Sequence, residues 1–239
     1  MKKSIGILGG MGPMATADLF QKITALTAAE TDNGHIRVYI DSNAAIPDRT
    51  AAILNGGPDP VPAMAEALRN LERCGADVLI MPCNTAHYFL PRLQRLTKLP
   101  FISMPEAAAQ ACRDRLGSKT TAILATKGTL SAGLYQKALG DRGVPFLVPD
   151  ETEQEALMEV IYQGVKAGAP PEAYREAFFS VTEGMAGRGA ERFLLACTEL
   201  PLAARALGAD LSSVDPTEEL AKAAIRFCGY AVRSEMQFG

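Results

Sequence analysis

The sequence predicts an α/β fold built as two pseudo-symmetric lobes, each a mostly parallel sheet flanked by helices. Two observations carry this. Short apolar runs alternate with helix-like segments along the whole chain, a pattern that needs crossover helices on both faces of a parallel sheet. The chain also repeats itself in order. Ile5-Gly6-Ile7-Leu8 resembles Thr121-Ala122-Ile123-Leu124, 116 positions on, and Gln21-Lys22 recurs as Gln136-Lys137. Gly75-Ala76, a strand and Cys83 recur 114 positions on as Gly189-Ala190, a strand and Cys197. Pro105-Glu106 has its counterpart in Pro216-Thr217.

Taken in order, residues 4–8 form a buried strand that runs into the glycine loop Gly9-Gly10-Met11-Gly12-Pro13. Further strands are expected at 36–41, 78–81, 101–103, 121–124, 146–148, 193–196 and 213–215. Helices are expected at 16–30, 62–74, 106–116, 132–139, 154–167 and 172–185. The repeat divides the chain into a first lobe of residues 1–103, completed by 209–239, and a second lobe of 104–208.

Composition narrows the function classes. Of 239 residues, 48% are apolar and 21% charged, near the globular average, which excludes a disordered chain. The net charge of −3 comes with no Lys/Arg cluster, so neither nucleic acid nor an anionic membrane is expected as a partner. The uncharged stretch at residues 78–91, which no other exceeds, is too short to span a bilayer and holds two prolines. Lys2, Lys3 and Ala15-Thr16-Ala17 have the flanks of a signal peptide, but four glycines and a proline interrupt residues 5–13, and a cytoplasmic protein is expected. Five cysteines in no disulfide-like pattern fit a reducing compartment.

The chemistry gathers at strand ends. Val78-Leu79-Ile80-Met81-Pro82-Cys83-Asn84-Thr85-Ala86-His87 carries a buried strand into a turn, and Cys83 stands where the next helix begins. Ligands collect at the carboxyl ends of parallel strands, and a cysteine there meets helix N-termini and free N–H groups that favour thiolate. Leu194-Leu195-Ala196-Cys197-Thr198-Glu199 repeats the device. Cys74, Cys112 and Cys228 lie inside helix-like segments and are expected to be structural. His35 has no partner motif and belongs to a turn or the surface.

Two rival sites are visible. Gly10-x-Gly12-x-x-Ala15, with Asp41 ending the next strand, satisfies a loose nicotinamide-dinucleotide fingerprint. The same loop, at Gly10 and Met11, could instead offer N–H groups to a small carboxylate. Cys83 and His87 are i, i+4 neighbours, but a zinc centre would need Cys197 or Glu199 as well, and no metal is expected. Arg49 and Lys166 are cations at helix ends, and the Thr126-Lys127-Gly128-Thr129 loop can hold a carboxylate through its hydroxyls and N–H groups.

Together the glycine loop, Pro82-Cys83-Asn84-Thr85-Ala86-His87, Thr126-Lys127-Gly128-Thr129 and Cys197-Thr198-Glu199-Leu200-Pro201 resemble the aspartate racemases of the aspartate/glutamate racemase superfamily, nearly end to end. The resemblance implies a cofactor-independent amino-acid racemase, a homodimer, with its active site in the cleft between two lobes. It implies that Cys83 and Cys197 are the acid/base pair on opposite faces of the α-carbon. Arg49 and Lys166 would hold substrate carboxylates, with Asn84, Thr85, Thr126 and Thr198 as further substrate contacts. Glutamate racemases typically follow the second cysteine with Thr-His; Glu199 here points to the aspartate branch, with glutamate or broad specificity as the alternative. Retention of both cysteines disfavours the single-cysteine decarboxylase type. A nicotinamide-dependent dehydrogenase and a non-catalytic small-ligand binder are the readings from other classes.

Overall fold

In the computed structural model, which describes residues 2–116 and 119–233, the chain divides into two compact units. One comprises the chain up to Pro47, Asp59–Met104 and the chain from Thr217 onward; the other comprises Asp48–Pro58 and Pro105–Pro216.

The first unit opens with β1 (Ile5–Gly9), α1 (Pro13–Leu26) and β2 (Val38–Ser42). The chain then contributes α2 (Arg49–Leu54) to the second unit before returning as α3 (Val61–Cys74) and β3 (Val78–Ile80). A 3₁₀ turn, Thr85–Phe89, and α4 (Leu90–Gln94) follow. The strands pair in parallel in the order β2-β1-β3, and a single parallel bridge from Leu79 to Phe101 adds a fourth position beside β3. The strand expected at 101–103 is no more than this bridge, because α5 (Met104–Leu116) begins directly after it.

The second unit continues with β4 (Thr121–Ala125), α6 (Lys127–Ser131), α7 (Leu134–Gly140) and β5 (Phe146–Leu147). Next come α8 (Glu151–Glu159), a π-helical turn at Val160–Val165, α9 (Arg175–Gly187), β6 (Arg192–Ala196), α10 (Glu199–Leu207) and β7 (Ser213–Val214). Its sheet is again parallel, in the order β5-β4-β6-β7. Thus β4, β5, β6 and β7 occupy the places that β1, β2, β3 and the Phe101 bridge hold in the first sheet. The final helix, α11 (Pro216–Phe227), spans the unit boundary and packs in the first unit.

Period-two alternation sets which way each strand faces. Ile123, Ala125, Leu194 and Ala196 pack with Ala109, Cys112, Tyr135 and Leu139 of α5 and α7. Ala122, Leu124, Phe193 and Leu195 pack with Leu157, Phe178, Val181 and Leu200 from the opposite layer. In the first unit, Ile5, Ile7, Val78 and Ile80 pack against Leu19, Ile23, Leu220 and Ile225 of α1 and α11. Sheets buried on both faces explain why their strands are almost wholly apolar.

Several boundaries differ from the sequence-based expectation, for local reasons. Residues 209–216 belong to the second unit because β7 pairs with β6, rather than completing the first. Residues 48–58 also join the second unit, where α2 packs against α6. The helix expected at 16–30 starts at Pro13, a residue suited to the first helical position, and stops at Leu26. The helix expected at 154–167 begins earlier, under a capping box in which Glu153 N–H donates to Asp150 Oδ1 at 2.9 Å and Asp150 N–H donates to Glu153 Oε2 at 2.8 Å. It then widens into the π turn, which ends at Lys166. Among the described residues, no helix is long and apolar enough to cross a membrane.

Candidate active site

Within each sheet, the candidate residues follow the carboxyl ends of the strands. Gly10 and Met11 lie after β1, Cys83 after β3, Thr126 after β4 and Cys197 after β6. Parallel strands aim their helix N-termini and loop N–H groups toward that edge, which is why ligands collect there.

In the first unit the glycine loop is held by its own neighbours. Gly10 N–H donates to Thr16 Oγ1 at 2.9 Å. Gly10 has φ +88°, and a Cβ there would sit 2.3 Å from the Asn43 backbone, so only glycine fits. Asp41, which a dinucleotide site would turn to a ribose, accepts from Asn70 Nδ2 at 2.8 Å. Met11 is buried.

Cys83, Asn84, Thr85 and His87 are all buried just beyond β3. His87 does not reach its neighbour's thiol. Its Nδ1–H donates to the Cys83 carbonyl at 2.9 Å, and its Nε2 accepts the Met104 backbone N–H at 3.1 Å. Both ring nitrogens are therefore engaged, so the i, i+4 spacing does not make a metal pair. Burial outweighs the opposing backbone hydrogen bonds at Cys83 and Asn84 and lowers the His87 pKa to about 4, keeping the ring neutral.

In the second unit the best-defined contact is between Cys197 and Glu199. The Cys197 thiol donates to Glu199 Oε2 at 2.9 Å, and Thr198 Oγ1 donates to the same oxygen at 3.1 Å. Cys197 and Glu199 are each only 6% exposed. The Cys197 pKa stands well above the ordinary thiol value, first because of burial and then because of the Glu199 charge; Lys166 pulls the other way. Sequence pattern alone pointed to a thiolate-favouring setting at both cysteines. At Cys197 the burial and the neighbouring carboxylate act against the thiolate and favour the thiol.

One tyrosine links Lys166 to the segment that carries Arg49. Lys166 Nζ lies 4.3 Å from the Tyr162 ring centroid, and Tyr162 O–H donates to Asp48 Oδ2 at 3.2 Å. Asp48 Oδ1 in turn caps α2 by accepting Ala51 N–H at 2.8 Å, and Arg49 follows as its first residue, buried. Thr126 caps α6 through the Thr129 N–H at 3.2 Å, and the two hydroxyls lie 3.1 Å apart. Arg49, Lys166, Thr126, Thr129, Cys197 and Thr198 thus all belong to one unit, although Arg49 comes from the first quarter of the chain. Among the other cysteines, Cys112 and Cys228 are buried in apolar clusters and Cys74 is exposed at the end of α3.

The sequence did not single out Tyr162, the structural role of His87 or the hydrogen bond between Cys197 and Glu199. The Tyr162-to-Lys166 spacing, one helical turn, was the available signal for the tyrosine. In the sequence Glu199 reads as a possible metal ligand and as a pointer to the aspartate branch, but not as a partner of the Cys197 thiol.

The sequence model of Asp/Glu/hydantoin racemases matches residues 8–224. The chain belongs to that family. The solved Picrophilus torridus aspartate racemase is 32% identical, with a TM-score of 0.85 over 97% of this chain and 96% of that one. The broad specificity amino-acid racemase RacX of Bacillus subtilis (strain 168) is 23% identical over 229 residues, 92% of this chain and 96% of RacX. The glutamate racemase of Aquifex aeolicus (strain VF5) is 25% identical over 158 residues, covering 63% of this chain and 57% of that enzyme. The two mostly parallel sheets flanked by helices are the architecture of Asp/Glu racemase structures. Membership of a racemase family argues against the nicotinamide alternative, and the loop that suggested it is tied back on itself by the Gly10 N–H to Thr16 bond.

Proposed function

We propose that this protein interconverts L- and D-aspartate without a cofactor, using Cys83 and Cys197 as the two acid/base groups. The observation that carries the proposal is topological. In two sheets of matching strand order, each unit holds one buried cysteine just beyond the carboxyl end of the equivalent strand, β3 in one and β6 in the other. Inverting a carbon centre needs a base on one face and an acid on the other, and a duplicated strand-end thiol supplies one group for each.

Removing the α-proton builds negative charge beside a carboxylate, so the site must surround that carboxylate with fixed donors. Arg49, which follows Asp48 in the chain, and Lys166, which Tyr162 links to Asp48, are the cations for the two carboxylates of a dicarboxylic substrate. Asn84, Thr85, Thr126, Thr129 and Thr198, with the Gly10–Met11 loop, are the neutral substrate contacts. In this mechanism one thiolate takes the α-proton while the other cysteine, as thiol, delivers its proton to the opposite face. The two then exchange roles for the other enantiomer.

Likeness to the Picrophilus aspartate racemase supports aspartate as the substrate. A second reading, broad amino-acid specificity, is supported by the nearly full-length likeness to RacX. Chiral chromatography after incubation with each L-amino acid, with no added cofactor and with EDTA present, tests both. Aspartate should yield its D-enantiomer fastest. Comparable rates for many side chains would favour the broad reading, and loss of activity with EDTA, or stoichiometric bound pyridoxal phosphate, would defeat the cofactor-free one.

A further inference from the structure

The Cys197–Glu199 contact has chemistry that a helix-end carboxylate alone does not require. An acidic residue in the first turn of a helix such as α10 is ordinary, since it meets the positive end of the dipole. Solvent-facing geometry would serve that purpose. Here the carboxylate is instead buried, and a single oxygen, Oε2, receives both the Cys197 S–H and the Thr198 O–H. Burying a carboxylate is costly unless hydrogen bonds satisfy it, and one of the two donors that do so is the candidate acid/base thiol.

We propose that Glu199 is the proton acceptor of Cys197 in the racemisation step. The inference rests on the two-thiol function proposed above. As the Cys197 sulfur takes the substrate's α-proton, its own proton passes to Glu199 Oε2. The Cα–H and old S–H bonds break, a new S–H and an O–H form, and the electron pair of the Cα–H bond stays on the substrate carbon. That carbanion is then protonated by Cys83. In the opposite direction Cys197 gives its proton to the carbanion, and the neutral Glu199 carboxylic acid returns one to the sulfur. The arrangement spares the site a free thiolate in a buried position already next to a negative charge. Thr198 fixes the receiving oxygen, and Lys166 is the positive group that acts on the same sulfur from the end of the π turn.

The test uses the full-length protein with Glu199→Gln and Glu199→Asp, reading racemisation kinetics and the iodoacetamide alkylation rate of Cys197 by mass spectrometry, with Cys83 as internal reference. Glu199→Gln removes the acceptor and the negative charge together. Racemisation should fall at least about a hundredfold in kcat with KM unchanged, while Cys197 alkylation rises several-fold because its thiolate is no longer opposed. Glu199→Asp should keep activity within about a hundredfold of the wild type. Racemisation by Glu199→Gln within about threefold of wild type would overturn the proposal. So would lost activity accompanied by unchanged or slower Cys197 alkylation, which would mark a merely structural role. If Glu199→Gln does not fold, Glu199→Asp decides: activity within about a hundredfold of the wild type upholds the proposal, and a larger loss in a folded protein overturns it. Wild-type protein that racemises nothing overturns the function on which this rests, and a Cys197 alkylation rate unmoved by Glu199→Gln would then overturn the pairing too.

Discussion

His87 joins two segments of the first unit through opposite edges of one ring: Nδ1–H to the Cys83 carbonyl at 2.9 Å, and Nε2 to the Met104 N–H at 3.1 Å. The second bond requires an acceptor, so a protonated ring would set one donor against another. With the ring buried, its pKa falls to about 4. The unfolded chain takes up a proton below pH ~6.5 that the folded protein refuses until about pH 4, so stability is lost as pH falls through that window. Between pH 7 and pH 5 the loss should be about 2 kcal/mol. Urea denaturation of wild type and His87→Gln at both pH values checks this: the wild type should show the steeper decline. Equal slopes would mean that His87 titrates normally.

Cys83→Ser and Cys197→Ser should each nearly abolish racemisation, because serine keeps the shape of the side chain but is far too weak an acid to replace a thiol. Cys74→Ser, at the exposed end of α3, should leave the rate intact, and Cys74 should be the first thiol alkylated by iodoacetamide at neutral pH. The Cys228 pKa is raised to about 11 by burial and by the Asp77 charge, so that thiol should label slowly. A Cys197→Ser enzyme running at the wild-type rate would end the two-thiol mechanism.

Arg49→Ala and Lys166→Ala should each lower kcat/KM for aspartate by about ten- to a hundredfold, the worth of a charge-assisted contact to a carboxylate. Steady-state kinetics in both directions would show it. Unchanged constants would return both residues to helix-end roles.

Asp48 serves two partners at once, the Ala51 N–H and the Tyr162 O–H. Asp48→Ala removes the cap of α2 and the acceptor of Tyr162, and should cost about 1–2 kcal/mol in urea denaturation. Asp48→Asn retains an oxygen for the cap and should cost less. Equal losses would show that the cap contributes nothing.

The strands were legible because residues such as Val78-Leu79-Ile80 and Phe193-Leu194-Leu195 are buried on both sheet faces and must be apolar throughout. The strand-end cysteines were legible for the same reason, since the turn after a buried strand is where polar residues resume. Excursions were not legible. Asp48–Pro58 packs in the second unit although the chain on either side of it lies in the first, and nothing in local periodicity marks a segment that leaves and returns. The π turn at Val160–Val165 has the composition of ordinary helix, so its extra residue per turn is silent in the sequence. The Cys197–Glu199 contact depends on the direction a side chain takes at a helix N-terminus, and the His87–Met104 bond on two segments meeting across 17 positions.

The central claim, two thiols dividing one proton exchange, is tested most directly by starting from pure L-aspartate in D2O and following both enantiomers at low conversion. With separate groups on the two faces, the abstracting group retains the substrate's proton while the other delivers deuterium. The first D-aspartate formed should therefore be α-deuterated while the remaining L-aspartate stays largely protiated. Deuterium appearing in the L pool as early as in the D pool would mean one shared base, and would contradict the account.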